Sequence, residues 1–152
     1  MYLQLAALCF VTAFAEPNLK EKNFTGSILS SETVDIDFVT LIMLVDGKGS
    51  GRATHLGQLT YTYEFVVDLS TVVGVGSAEF FAANGDSFST EIDPSLAAPG
   101  HIVETHTIVG GTGRFAGPTG SFILDRLITE SNGNVNLSVS SVAGTIVTPK
   151  SH

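Results

Sequence analysis

Nothing constrains this chain more than the stretch from Gln58 to Val67. Leu59, Tyr61, Tyr63, Phe65 and Val67 alternate there with Gln58, Thr60, Thr62 and Glu64. Successive side chains of a strand point to opposite faces, so this pattern makes one face apolar and aromatic and the other polar. A helix would scatter the same residues around its circumference. A half-buried strand is therefore predicted over Arg52 to Asp68. His55 shares the parity of the tyrosines and is expected to face inward unless Gly57 shifts the register by a bulge.

Similar runs fill the rest of the chain. Strands are predicted over Asn23 to Leu29, Thr33 to Val45, Val72 to Ala83, Asp86 to Asp93, His101 to Val109, Ser121 to Glu130 and Val135 to Val147. Within Thr33 to Val45, Val34, Ile36, Phe38, Ile42 and Leu44 share one parity, while Asp35 and Asp37 take the other. Turn chemistry separates the runs: Asp46-Gly47, Asp68 to Thr71, and Asn84-Gly85, whose residues tolerate the positive φ of a tight hairpin. Pro94 to Gly100, with two prolines, reads as a surface loop, and Ser131 to Asn134 as a reversal. About eight strands with short antiparallel connections form one all-β domain over residues 23–148, a closed antiparallel β-barrel. Closure removes the sheet edges and leaves an interior that holds either side chains or one small ligand.

Composition narrows the function classes. Acidic residues outnumber basic ones 15 to 7, for a formal charge of −8, so nucleic acid and anionic membranes would be repelled. Cys9 is the one cysteine, which excludes an intramolecular disulfide and thiolate metal sites. Residues 1–15 are uncharged and end in Ala13-Phe14-Ala15, a small-x-small pattern. They read as a signal peptide, with a secreted or periplasmic destination, or as an N-terminal apolar segment packed on the domain. The run is too short for a membrane span.

Gly111 to Ala116 formally matches a dinucleotide fingerprint, but Gly117-Pro118-Thr119-Gly120 follows where a helix would be needed, so no nucleotide cofactor is expected. The same turn carries a resemblance. Gly51 to Gly57, the Asn84-Gly85 hairpin, and then Val109-Gly110-Gly111-Thr112-Gly113-Arg114-Phe115-Ala116-Gly117 before another strand resemble the allene oxide cyclase and dirigent barrel superfamily. The likeness runs from about Phe24 to Ile146 and is greatest to small, uncharacterised bacterial secreted members. It implies an eight-stranded calycin-like barrel, commonly a trimer, that holds apolar small molecules; some members enclose a reactive intermediate and steer its cyclisation or coupling. No catalytic residue carries over by position.

Candidate site residues follow from parity. His55, Tyr61, Tyr63, Phe65, Phe81 and Phe88 form either an aromatic ligand pocket or the filling of a small barrel. Glu79 and Asp125 are the weak candidates for an enclosed acid or base, with an interfacial salt bridge as the competing role. Arg126 shares a face with Phe122, Leu124 and Ile128, so both faces of that strand are apolar and both hold a charge. Glu104 and His106 lie on one face of their strand. Their roughly 7 Å spacing suits joint metal ligation poorly, so they are expected to face solvent, and no metal is expected.

Three readings result: a barrel that binds a small apolar molecule, a cofactor-independent cyclase or isomerase that moulds a reactive intermediate, or a filled structural barrel. The apolar patterns on both faces of the strands from Val72 and Ser121 suggest self-association as a dimer or trimer.

Overall fold

A computed structural model describes residues 19–149; the apolar segment 1–15 lies outside the described residues. Eight strands follow in chain order: β1 Leu19–Asp37, β2 Ile42–Ala53, β3 Gly57–Asp68, β4 Val73–Ala82, β5 Ser87–Ala98, β6 His101–Gly111, β7 Thr119–Asn132 and β8 Val135–Pro149. Each pairs antiparallel with the next, and β1 pairs with β8 from Leu19↔Pro149 to Thr33↔Val135, closing the barrel. The turns β1–β2, β3–β4, β5–β6 and β7–β8 emerge at one end, here called the upper end. The β2–β3, β4–β5 and β6–β7 connections lie at the lower end.

The structure moves several boundaries. Thr33 to Val45 is not one strand: the chain reverses over Phe38 to Leu41. Asp37 makes the reversal, its Oδ1 accepting the N–H of Val39 at 2.8 Å and of Thr40 at 3.2 Å. Parity changes across this turn, so Met43 and Val45 point inward and Leu44, grouped with Val34 on sequence, points out. Asp46-Gly47 is not a turn but the middle of β2, whereas Arg52 to Asp68 is interrupted by a reversal at Thr54 to Leu56. β5 also continues through Pro94, opposite Glu104, to Ala98. Gly113–Phe115 is a single 3₁₀ turn that leads into β7 instead of a long helix.

Inward side chains fill the lower part of the barrel. Tyr61 stacks on Tyr63 and on Phe80, with centroids 5.0 and 5.1 Å apart, and Phe80 stacks on Phe88 at 5.0 Å. Phe115 meets Phe88 edge-on at 5.4 Å, and Leu56 is buried beside this end. The rings fit because the opposing strand has no side chains there: Gly47 lies against the ring of Tyr63 and Gly49 against that of Tyr61. Burying each such ring is worth roughly 1.5–3 kcal/mol, and each ring pair about 0.5–1.5 kcal/mol more. This column is thus the dominant local source of stability, and it leaves the lower end shut.

Candidate functional site

An ionic cluster lies above the aromatic column. Parity sends Glu32 inward from β1 beside Ser30, Glu104 and His106 inward from β6, and Arg126 inward from β7 beside Leu124. These four side chains are almost completely enclosed, Glu104 at 1% exposure and Arg126 at 3%. The guanidinium of Arg126 donates to Glu32 and to the Tyr63 hydroxyl, and its Nε lies 2.6 Å from Glu104 Oε1. That last contact is a close ion pair without the alignment of a hydrogen bond. Tyr63 donates in turn to Glu32 Oε2 at 3.0 Å, and Asn136 Nδ2 donates to Glu32 Oε1 at 3.0 Å. The Arg126 cation also stands 5.0 Å from the Tyr63 ring centroid and 5.4 Å from that of Phe65.

His106 extends the cluster. Its Nε2 faces Glu104 Oε2 at 3.1 Å and its Nδ1 faces Thr90 Oγ1 at 2.9 Å. Both ring nitrogens are thus engaged, one by a carboxylate and one by a hydroxyl that can either donate or accept. The ring is held flat against Phe122 at 4.8 Å. Burial raises the pKa of Tyr61 and of Tyr63, so both phenols remain protonated donors. Burial, the largest influence on Arg126, works against its charge. Glu104, Tyr63 and Glu32 together outweigh it and raise its pKa above the ordinary value. The hydroxyls of Tyr61 and Ser140 are buried without a hydrogen-bond partner among the described residues, which leaves polar capacity free beside the cluster.

The upper end is less completely closed than the lower. Val34, Met43 and Val67 turn inward there and are only partly buried, as are Ile102 and Ile128. Asn136, also partly exposed, connects Glu32 to this end. The arrangement is an apolar mouth closed by these partly buried side chains, with hydrogen-bonding and charged groups beneath them. A mainly apolar molecule admitted between them would meet convergent hydrogen-bonding and charged groups. The cluster can also move a proton between a carboxylate, an imidazole and a bound molecule.

Of the residues singled out from sequence, Tyr61, Tyr63, Phe65 and Phe88 lie inside the barrel, and Tyr63 belongs to the cluster. His55 does not face inward. It sits exposed in the β2–β3 turn with φ 69° and its Nε2 lies 3.1 Å from the Asn23 carbonyl, because strand parity does not continue through a reversal. Phe81 points to the outer face, since its neighbours Phe80 and Ala82 take the interior. Glu79 and Asp125 are likewise exposed on the outer wall, Asp125 paired with His101 at 2.6 Å, so neither is an enclosed acid. Glu104 and His106, expected to face solvent, are buried instead. Glu32 and Thr90 were not anticipated; the signal for Glu32 is its shared parity with Ile28 and Ser30. Among the described residues, no three His, Cys, Asp or Glu side chains are grouped to hold a metal ion, and no helix is long and apolar enough to cross a membrane.

No protein-family model and no curated protein matches the chain. Among solved structures, it is similar to the pterocarpan synthase dirigent protein GePTS1, with a TM-score of 0.62 and 10% sequence identity over 95% of this chain and 98% of that one. At that identity the likeness is one of fold: a dirigent-like, closed eight-stranded antiparallel barrel.

Proposed function

We propose that this dirigent-like barrel binds a small, largely apolar molecule at its upper end, with a polar group of that molecule reaching the Arg126 cluster. The reading is carried by one observation. The charged groups are gathered beneath the partly buried apolar side chains of the upper end, and the filled aromatic end carries none of them. Ligand sites are typically apolar with a few convergent polar groups, which is this combination. The proposal includes an exported location, in line with uncharacterised secreted members of the superfamily. It also includes association of copies through the outer face where Leu29, Val139 and Leu127 adjoin across β1, β8 and β7. Sedimentation that shows only monomer at micromolar concentration removes that last part.

A second reading, a cofactor-independent cyclase or isomerase, is favoured by the Thr90–His106–Glu104 chain of contacts, which supplies an acid–base pair in the enclosed interior. The similar solved protein is named a synthase, and moulding a flexible intermediate needs few catalytic groups. Native mass spectrometry of the chain from its own host, followed by analysis of what denaturation releases, tests both. A stoichiometric apolar compound is expected, reduced by Met43→Trp at the mouth while circular dichroism is unchanged. Turnover of that compound, lost in Glu104→Gln, selects the enzyme. An empty protein that also ignores hydrophobic probes leaves the filled structural barrel.

A further inference from the structure

The turns at the upper end expose apolar side chains to water. Phe38 is 80% exposed and Val39 93%, and Leu41, Val72, Val73 and Leu96 are exposed as well. Phe38, Val39, Leu41 and Val72 lie in the β1–β2 and β3–β4 turns, Val73 opens β4 and Leu96 lies near the end of β5, all of which the antiparallel order places at the same end. The two turns are built alike. Asp37 Oδ1 accepts the Val39 N–H, and Asp68 Oδ1 accepts the Ser70 N–H, each at 2.8 Å. Each turn then ends in an apolar residue in the left-handed region, Leu41 and Val72, both at φ 58°. That conformation is unfavourable for any side chain and most of all for a β-branched one. The Leu69 N–H donates to the Leu41 carbonyl at 2.8 Å, which ties the two turns together. The fold thus holds a strained, braced platform whose tips are hydrophobic.

We infer that this end docks on an electrically neutral lipid surface, with Phe38 and Val39 entering the headgroup–acyl boundary. Charge selects the occupant. Residues 37–41, 68–73 and 95–100 contain Asp37 and Asp68 and no lysine or arginine. Two copies meeting end to end would bring like charges together, and anionic lipid would be repelled. Both aspartates have lowered pKa values, Asp37 chiefly through the Val39 N–H and Asp68 chiefly through the Ser70 hydroxyl, so they are ionised at neutral pH. Set behind the apolar tips, they match the ammonium groups of a zwitterionic headgroup layer. Depth is limited by the outer wall, where Lys48, Glu64, Glu79 and Glu91 are exposed, so contact is confined to the end. The apolar tips lie at the same end as the partly buried Val34, Met43 and Val67, so docking would bring lipid to the apolar end of the barrel. The docking inference rests on the exposed turns and not on occupancy of the mouth, so the two proposals fail separately.

Flotation with phosphatidylcholine vesicles is the test. The wild type is expected to float with them, and Phe38→Ser/Val39→Ser to bind at least about tenfold more weakly, since two large apolar side chains are removed. Val109→Ser, an exposed apolar position on the wall, is expected to float like the wild type. Replacing part of the phosphatidylcholine with phosphatidylserine is expected to weaken binding. The inference is overturned by absence of flotation with phosphatidylcholine, by binding to anionic vesicles alone, or by undiminished binding of the double variant. Sedimentation in which the double variant instead dissolves an oligomer overturns it equally.

Discussion

Replacing Arg126 with methionine isolates the energetics of the cluster. The side chain is 3% exposed and contacts Glu32 and Glu104, at 5% and 1%. Methionine keeps much of the volume but leaves two enclosed carboxylates without the guanidinium. Removing one partner of a buried ion pair costs about 3–5 kcal/mol, out of a total stability on the order of 5–15 kcal/mol for a domain. At a urea slope of about 2 kcal/mol/M, a loss of about 4 kcal/mol lowers the unfolding midpoint by about 2 M. Arg126→Lys retains the charge without the planar fork and is expected to lose less. Urea unfolding followed by circular dichroism at pH 7 gives both values. An Arg126→Met protein within about 1 kcal/mol of the wild type would refute the assignment of the guanidinium as the principal counter-charge of this interior.

Two further predictions concern the aromatic column and the braced turns. A Cβ at Gly47 or Gly49 would overlap the ring of Tyr63 or Tyr61, so Gly47→Ala and Gly49→Ala should each destabilise by about 1–3 kcal/mol, read as a lower thermal midpoint. Gly85→Ala, where nothing lies within 4 Å, separates overlap from the cost of positive φ alone. Asp37 and Asp68 have folded-state pKa values below the ordinary 3.8. Their stabilisation is therefore present above that value and disappears as pH falls through the lower folded values. The stability gap between the wild type and Asp37→Asn/Asp68→Asn should be constant near neutrality and narrow below about pH 3.8; a gap that widens on acidification would contradict the turn geometry.

The barrel was legible because its strongest signals are local. Alternation from Leu59 to Val67 and the Asn84-Gly85 hairpin need only neighbouring residues, and both are present in β3 and at the β4–β5 turn. The reversal at Phe38 to Leu41 was hidden because its residues are apolar and continue the strand pattern, while Asp37, the residue that makes it, also fits the polar parity. A second Asp-capped turn at Asp68 to Thr71 was visible because Ser70 and Thr71 accompany the aspartate. The cluster was hidden for a different reason. A charge on a strand is ordinarily turned to solvent, and Glu104 and His106 give no local sign of a partner. Their enclosure depends on Arg126 from β7, and Arg126 meets Glu32 across 94 positions of chain. Parity placed Arg126 with Phe122 and Leu124, but only barrel closure determines which face of β7 is inside.

Whether the cluster exists for stability or for binding can be separated, because the two roles respond differently to complete removal of charge. A buried ionic group is often no more stabilising than a well-packed neutral replacement, even though removing one member is severe. Aliphatic replacements would be a poor test, since Tyr63, Asn136 and His106 all direct hydrogen-bonding groups at Glu32 or Glu104 and would lose their partners at about 1–3 kcal/mol each. Glu32→Gln/Glu104→Gln/Arg126→Met retains acceptor oxygens and shape while removing every formal charge among the three. It is expected to recover most of the stability lost by Arg126→Met alone, to within about 1–2 kcal/mol of the wild type. A folded triple variant that no longer carries the released compound assigns the charges to recognition. One that folds and still carries it shows that the apolar mouth suffices and that Arg126 is not the anchor.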